Sequence, residues 1–331
     1  MKPFTYVCAE DVASAVRLVS TEPAAKFLGG GTNLVDLMRE NIESPQTLVD
    51  VSRLPLAEIV ELSTGVVRIG AGVRNSTLAA HELIRRRFPV LSQAILAGAS
   101  GQLRNMATVG GNLLQRTRCS YFYDQATACN KRAAGSGCAA IGGLNRGHAV
   151  LGTSEHCIAT HPSDMAVALI ALDAVVEVEN VRGTRRIPLT EFYLPPGDTP
   201  QLETTVAADE LITAVELPAL PMAANSRYRK VRDRASYAFA LASVAAALQV
   251  HDGAIAQVRL AFGGIGTTPW RASVAERVMI GAAPTAETFR QAAEAELAAA
   301  RASEQNAYKI ELTKRITVAT LGLLHVEAGV A

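Results

Sequence analysis

Residues 25–38 read AKFLGGGTNLVDLM, and this stretch decides how the first part of the chain folds. A short apolar segment enters three consecutive glycines, and apolar residues at Leu34, Leu37 and Met38 then follow helical spacing. Glycine lets the backbone approach a ligand closely, and the first N–H groups of a helix attract anions. A phosphate group would suit this segment. A plain turn is the alternative, because the glycine spacing matches neither the dinucleotide fingerprint nor the P-loop.

A second glycine-centred stretch, GASGQLRNMATVGGNL, occupies residues 98–113. Gly110 and Gly111 again allow close backbone approach, while Arg104, Thr108 and Asn112 supply hydrogen-bond donors. Two such segments in one domain favour a ligand site over two unrelated turns.

Four of the five cysteines follow within 39 residues, separated by 9, 8 and 18 residues. They are Cys119, Cys129, Cys138 and Cys157. Disulfides, a structural zinc and an iron-sulfur cluster are the three explanations. The spacing favours a cluster over zinc, because zinc sites usually pair their cysteines two to four residues apart. The histidines nearby (His148, His156 and His161) could replace a thiolate but are better interpreted as polar loop residues.

Composition excludes several classes of protein. The 331 residues are 49% hydrophobic and 19% charged, with a net charge of +1, which indicates a folded protein without the basic excess of a nucleic-acid binder. No apolar run reaches the roughly 18 residues that a membrane span needs. The chain starts at Met1-Lys2-Pro3-Phe4 without an apolar signal segment, so we expect synthesis in the cytoplasm, where thiols are reduced.

The periodicity of apolar residues predicts an α+β protein. Cys8, far from the other cysteines, is expected to be a small buried thiol. Predicted strands cover residues 4–7, 47–51, 66–69, 175–181, 211–217, 227–234 and 258–264. Predicted helices cover residues 12–19, 34–38, 76–87, 166–172 and 237–248, with three more from about residues 272, 285 and 306. Residues 218–224, rich in proline and alanine, are expected to link two domains.

Together these stretches resemble the FAD-binding subunit of the xanthine dehydrogenase family of molybdenum hydroxylases. Residues 25–34 resemble its first flavin loop, residues 104–113 its second, and the last hundred residues its carboxy-terminal domain. The cysteine segment, with Arg116-Thr-Arg-Cys119-Ser-Tyr-Phe-Tyr-Asp, is most similar to the group of FAD and 4Fe-4S subunits of periplasmic aldehyde oxidoreductases.

The resemblance implies a two-part FAD-binding domain of the vanillyl-alcohol oxidase (PCMH) type over residues 1–221. An iron-sulfur insert would occupy about 115–160. A CO-dehydrogenase-flavoprotein-like α+β domain would follow over residues 224–331.

The resemblance also implies the site residues. The FAD contacts would be Lys26, Phe27, Leu28, Gly29, Gly30, Gly31, Thr32, Asn33, Leu34, Thr108, Gly111, Asp164, Ile212 and Lys230. The ligands of a 4Fe-4S cluster would be Cys119, Cys129, Cys138 and Cys157. Asp164 could equally serve only as a helix cap. Neither flavin loop contains a histidine or cysteine that could bond the ring, so FAD is expected to bind noncovalently.

The implied function is electron transfer within a heterotrimeric molybdenum-dependent aldehyde oxidoreductase. A large partner would carry the molybdenum cofactor, a small partner would pass electrons from two 2Fe-2S clusters to FAD, and an external acceptor would receive them. The complex could reach the periplasm on a partner's twin-arginine signal. The alternatives are a subunit like that of 4-hydroxybenzoyl-CoA reductase, or a zinc-stapled nucleotide-binding scaffold without a redox role.

Overall fold

The N-terminal residues form a small parallel sheet in a computed structural model that describes residues 1–328. Its elements are β1 (Thr5–Cys8), α1 (Val12–Thr21), β2 (Ala25–Leu28), α2 (Leu34–Arg39) and β3 (Thr47–Asp50). The strand order is β1-β3-β2, and all pairs are parallel. Asp11 and Ser14 form a capping box that starts α1. The central strand β3 is buried along its whole length, which places the glycine segment after β2 against the body of the protein.

A larger antiparallel sheet follows, together with the helices that cover it. The strands are β4 (Ile59–Glu61), β5 (Val67–Gly70), β6 (Val175–Asn180), β7 (Gly183–Pro188) and β8 (Leu211–Leu217), in the order β4-β5-β8-β6-β7. The helices are α3 (Asn75–Ala80), α4 (Glu82–Arg87), α5 (Pro89–Ala97), α6 (Gly101–Met106), α7 (Val109–Leu113), α8 (Ser120–Tyr123), α9 (Asp164–Ala171) and α10 (Leu189–Phe192). Every residue of α9 is buried, so this helix forms the centre of the core.

The last part of the chain builds a third sheet. A 3-10 helix (Pro221–Ala224) leads into β9 (Ser226–Val231), β10 (Ala242–His251), β11 (Ala254–Gly263) and β12 (Trp270–Arg271), in the order β12-β11-β10-β9. Three helices complete it: α11 (Ser273–Met279), α12 (Ala286–Leu297) and α13 (Tyr308–Ala328). The predicted α+β class is confirmed. The end of the predicted last domain, residues 329–331, lies outside the described residues.

The predicted helix over residues 237–248 is wrong, because this segment contains most of β10. Alternate residues of β10 face two cores: Ala245 faces the helices α5 and α9, whereas Val244, Ala246 and Leu248 face the core that contains α13. In a strand that is buried on both faces, polar and apolar residues do not alternate, so the pattern that identifies a strand is missing. Its alanines let both layers pack closely, and they gave the segment the composition of a helix.

Two smaller expectations also differ from the structure. The predicted helix 76–87 is divided into α3 and α4, since His81 adopts an extended conformation (φ −64°, ψ 127°). Cys8 is exposed and not buried, because β1 is an edge strand whose residues are mostly exposed.

Candidate functional site

The two glycine segments pack directly against each other. A Cβ atom on Gly30 would lie 1.9 Å from the carbonyl oxygen of Met106, and one on Gly29 would lie 2.9 Å from Oγ1 of Thr108. Gly31 has a φ of +73°, in the left-handed region that favours glycine. The first segment therefore needs glycine to reach the second.

The second segment is held by the cap of α7. Oγ1 of Thr108 accepts a hydrogen bond from the N–H of Gly111 at 3.2 Å, and Thr108 is buried. Gly110 packs on the other side against Ala71 and Ile212, which belong to the sheet below. This packing fixes the segment between the first glycine segment and β8.

A cavity of about 430 Å³ opens beside the two segments. It is lined by residues from both segments, from α5 and α9, and from the loop between β9 and β10. The lining includes Gly31, Thr32, Asn33, Asn75, Ile95, Leu103, Arg104, Gly111, Asn112, Arg118, Asp164, Met165, Lys230, Tyr237 and Phe239. Such a mixture of apolar walls and a few convergent polar groups is typical of a cofactor site.

Asn33 lines this cavity and satisfies only one of its two side-chain polar atoms within the described residues. Its Oδ1 accepts the N–H of Arg116 at 3.0 Å and does not cap α2. Its Nδ2 is buried and has no hydrogen-bond acceptor among the described residues. Because buried amide groups are normally satisfied, this donor is available to a further partner, and the residue that carries it lines the cavity.

A buried charged cluster forms another part of the cavity wall. Asp164 is the first residue of α9, and its Oδ2 accepts from Nζ of Lys230 at 2.8 Å. Its Oδ1 accepts from the hydroxyl of Tyr228 at 2.5 Å. Burial and the charge of Asp164 raise the pKa of Tyr228 well above its ordinary value, so the phenol stays protonated and donates. Lys230 also donates to the carbonyl oxygen of Ala97.

The structure brings only part of the predicted FAD-contact set to the cavity. Gly31, Thr32, Asn33, Gly111, Asp164 and Lys230 line it. Gly29, Gly30 and Thr108 form the contact between the segments, and Ile212 lies under Gly110. Phe27 and Leu28 are half-buried in β2, Leu34 begins α2, and the exposed side chain of Lys26 pairs with Glu43.

Among the residues of the cavity wall that sequence reasoning missed are Arg118, Tyr237 and Phe239. Arg118 carries an ion pair with Asp36 at 2.9 Å and lies over the ring of Phe239. Tyr237 and Phe239 were hidden by the mistaken helix prediction. For Arg118, its position next to Cys119 was the feature of the sequence that could have indicated a place in the site.

Arg118 also lines a second cavity, of about 420 Å³, which borders Cys119 and His148. The region of the cysteines and the first cavity therefore share a wall.

The segment with the four cysteines is a compact loop held by charged side chains. Glu203 accepts from Arg116 at 3.1 Å and from Lys131 at 2.8 Å. Gly135 and Gly137 have φ values of +78° and +96° and reverse the chain, so that Cys129 and Cys138 pair as an isolated β-bridge. The loop therefore has defined geometry around its thiols.

The four cysteines lie in one loop and are not cross-linked. The interaction between the thiols of Cys138 and Cys157 lowers the pKa of Cys138 to about 6 and raises that of Cys157. Burial raises the pKa of Cys119 to about 11, and the charges of Cys129 and Cys138 add to this. No disulfide joins any cysteines within residues 1–328.

The described part of the chain has no three His, Cys, Asp or Glu side chains close enough to bind one metal ion. A tetrahedral zinc needs four donors at one point, whereas a 4Fe-4S cluster takes one thiolate on each of four irons. The described residues therefore offer no preformed single-ion site, and the four cysteines remain the candidate donors for a cluster.

Two histidines are buried in this region. Nε2 of His148 lies 3.2 Å from Sγ of Cys119. Burial and the positive charge of Lys309 lower the pKa of His148, so the ring is neutral near pH 7. Burial lowers the pKa of His161 to about 3, and its ring packs edge-on against Tyr193.

In residues 1–328, no helix combines the length and the apolar character that a membrane crossing requires.

Comparison with known proteins identifies the family. The model of the FAD binding domain in molybdopterin dehydrogenase matches residues 2–220, and that of the CO dehydrogenase flavoprotein C-terminal domain matches residues 226–322. The chain belongs to the FAD-binding subunits of the molybdenum hydroxylases. As a member of this family it is an oxidoreductase subunit, and the resemblance found in its sequence is confirmed.

Several relatives of this FAD-binding subunit are similar over nearly their whole length. The FAD-binding subunit of an aldehyde oxidoreductase from Escherichia coli (strain K12) is 52% identical over 330 residues, which cover 99% of this chain and 100% of the relative. The glyceraldehyde dehydrogenase medium chain of Sulfolobus acidocaldarius is 27% identical over 84% of this chain and 81% of the relative.

Solved structures show the same fold. The carbon monoxide dehydrogenase of Hydrogenophaga pseudoflava superposes with a TM-score of 0.75 at 24% identity, covering 97% of this chain and 96% of its own. Quinoline 2-oxidoreductase from Pseudomonas putida 86 gives a TM-score of 0.76 at 21% identity, with 99% of both chains covered.

Proposed function

We propose that this protein is the electron-transferring flavoprotein subunit of a heterotrimeric molybdenum-dependent aldehyde oxidoreductase. The observation that carries the proposal is the shared wall at Arg118 between the cavity of the glycine segments and the cysteine loop. Such a wall would keep two redox centres close together. The E. coli relative is named for aldehyde oxidation, which favours that substrate class over hydroxybenzoyl-CoA reduction.

The chain's own residues would bind and orient FAD. Residues 26–34 would surround the diphosphate, with Thr108 and Gly111 adding contacts from the second segment. The unpartnered Nδ2 of Asn33 supports this assignment. When bound, FAD would accept electrons from the 2Fe-2S clusters of the small partner and release them to an external acceptor.

Asp164 and Lys230 would form the polar end of the same site. Their ion pair is buried, and the two opposite charges compensate each other. The pairing also holds both side chains in place. Ile212 would contribute through its backbone. The protein's task is therefore to place the cofactor and exclude water, and none of these residues is assigned a proton-transfer role.

Cys119, Cys129, Cys138 and Cys157 would each bind one iron of a 4Fe-4S cluster. The positive-φ glycines between Cys129 and Cys138 let the chain turn and bring these two cysteines side by side, and the N–H of Ala159 donates to Sγ of Cys157 at 3.4 Å. These features support a cluster, because backbone N–H groups that donate to the sulfurs stabilise bound clusters.

We propose the same domain limits as from the sequence. The FAD-binding domain spans residues 1–221, with its iron-sulfur insert at about 115–160, and the last domain spans residues 224–331.

The test is anaerobic purification of the complex, in which this chain is co-expressed with a molybdenum-cofactor subunit and a 2Fe-2S subunit. We expect FAD and iron to co-purify in the visible spectrum and in metal analysis. Zinc with no iron beyond that of the partner's two 2Fe-2S clusters, together with no flavin in the visible spectrum, would contradict the proposal in favour of the zinc-stapled scaffold. Assay with aldehydes and with hydroxybenzoyl-CoA then separates the two redox alternatives.

A further inference from the structure

Within the described residues, His148 is the side chain that forms a hydrogen-bond contact with one of the four cysteine thiols. The distance between its Nε2 and Sγ of Cys119 is 3.2 Å, and His148 is 7% exposed. Its Nδ1 is buried and has no protein partner in residues 1–328. Within residues 1–328, the thiol of Cys119 is therefore the one hydrogen-bond partner of the ring nitrogens.

The last domain holds His148 in this position. Asn306, fully buried, donates from Nδ2 to the carbonyl oxygens of His148 and Ala149 at 3.3 and 3.1 Å. Lys309, also fully buried, donates from Nζ to the carbonyl oxygen of Gly147 at 2.8 Å. Hydrogen bonds from two buried side chains to three successive residues leave the backbone little freedom. The position of the imidazole is therefore fixed.

We propose that His148 is a positioning residue that donates an Nε2–H···Sγ hydrogen bond to the Cys119 thiolate and thereby raises the reduction potential of the cluster. This inference rests on the cluster of the proposed function. An iron-bound thiolate has no proton, so the imidazole must be the donor. Reduction adds one negative charge to the cluster and its sulfurs, and a hydrogen-bond donor stabilises that charge.

The experiment is an anaerobic redox titration of the assembled complex, followed by the EPR signal of the reduced 4Fe-4S cluster. His148→Phe keeps a ring but removes the donor, and His148→Leu removes it without a ring. We expect a more negative midpoint potential in both, with about a tenfold change in the ratio of reduced to oxidised cluster, or about 59 mV for one electron. His148→Gln keeps an N–H donor and should remain near the wild-type potential.

His156→Leu is the matched control. His156 precedes Cys157 directly, but its side chain is 46% exposed and faces Asp198. This variant should keep the wild-type potential, iron content and FAD content.

Three results would overturn the inference. An unchanged potential in His148→Phe or His148→Leu with full iron content would show that the hydrogen bond does not tune the cluster. Loss of iron in His148→Phe, His148→Leu and His148→Gln alike would make His148 a ligand or a purely structural residue. A wild-type complex that contains FAD but no iron beyond its 2Fe-2S clusters would overturn the cluster itself, and the separate iron measurement distinguishes this from the first result.

Discussion

Nζ of Lys230 lies 2.8 Å from Oδ2 of Asp164, and only 4% and 9% of their side-chain surfaces are exposed. The two residues are 66 positions apart, in β9 and α9. Removing one partner of a buried pair leaves the other charge without compensation. We therefore expect Asp164→Asn to lower the free energy of unfolding by about 3 kcal/mol and to lose FAD, as measured by chemical denaturation and by flavin absorbance.

Asp233→Asn is the control for this variant. It removes the ion pair of Asp233 with Arg146, in which both side chains are more than half exposed. Exposed pairs contribute little to stability. An equal loss of stability in the two variants would contradict the role given to burial.

The contact between the glycine segments gives a second prediction. In Gly30→Ala the new Cβ would collide with the carbonyl oxygen of Met106 and push the two segments apart. Overpacking of this kind costs about 1–3 kcal/mol, and we expect the ratio of FAD to protein to fall sharply. Gly101→Ala is the control, because its Cβ would meet no atom within 4 Å. Retention of full FAD by Gly30→Ala would show that the contact does not shape the site.

The elements that were predicted correctly are those in which local pattern and tertiary environment agree. The apolar run at Leu211–Leu217 coincides with β8, and the spacing of Val12, Ala15, Val16 and Val19 coincides with the buried side of α1. The glycine segments stood out because close backbone approach excludes other residues. By contrast, β10 was mistaken because its environment, two helical layers, is set by segments distant in sequence.

In the site, too, the features set by local sequence were predictable and those set by distant contacts were not. The four cysteines were visible in the sequence because one reactive residue type recurs within a short span. The contact of His148 with Cys119 depends on Asn306 and Lys309, nearly 160 residues further along the chain, so no local pattern indicates it. The pairing of Asp164 with Lys230 likewise requires the third sheet to pack on α9.

Glu203, which accepts hydrogen bonds from Arg116 and Lys131 at the cysteine loop, gives a pH-dependent prediction. Burial alone would raise the pKa of Glu203, but Lys131 and Arg116 outweigh it and hold that pKa below its usual range. A depressed pKa means that the carboxylate stabilises the folded state above the unfolded-state pKa of about 4.3, and that this stabilisation is lost as the pH falls through the folded-state value.

Glu203→Gln should therefore destabilise the protein by roughly 2 kcal/mol at pH 7. The difference in the free energy of unfolding between the variant and the wild type should shrink below about pH 4.3. Denaturant unfolding at a series of pH values from roughly 3.5 to 8 measures it. Glu155→Gln, an exposed change in the same loop, is the control. A difference that stays constant over the whole range would show that the charge of Glu203 is not responsible.

Cys129 allows the cluster to be tested separately from the flavin. It is 8% exposed and pairs with Cys138 in the loop, whereas the glycine segments that would bind FAD lie before the loop in the chain. Cys129→Ser removes one thiolate, and a hydroxyl is a poor ligand for this iron. We expect about half of the iron of the complex to be lost, because the two partner 2Fe-2S clusters together hold as many iron atoms as one 4Fe-4S cluster. FAD should remain, and Cys8→Ser, at an exposed thiol, should keep all of the iron. Unchanged iron in Cys129→Ser would show that this thiolate is not a ligand.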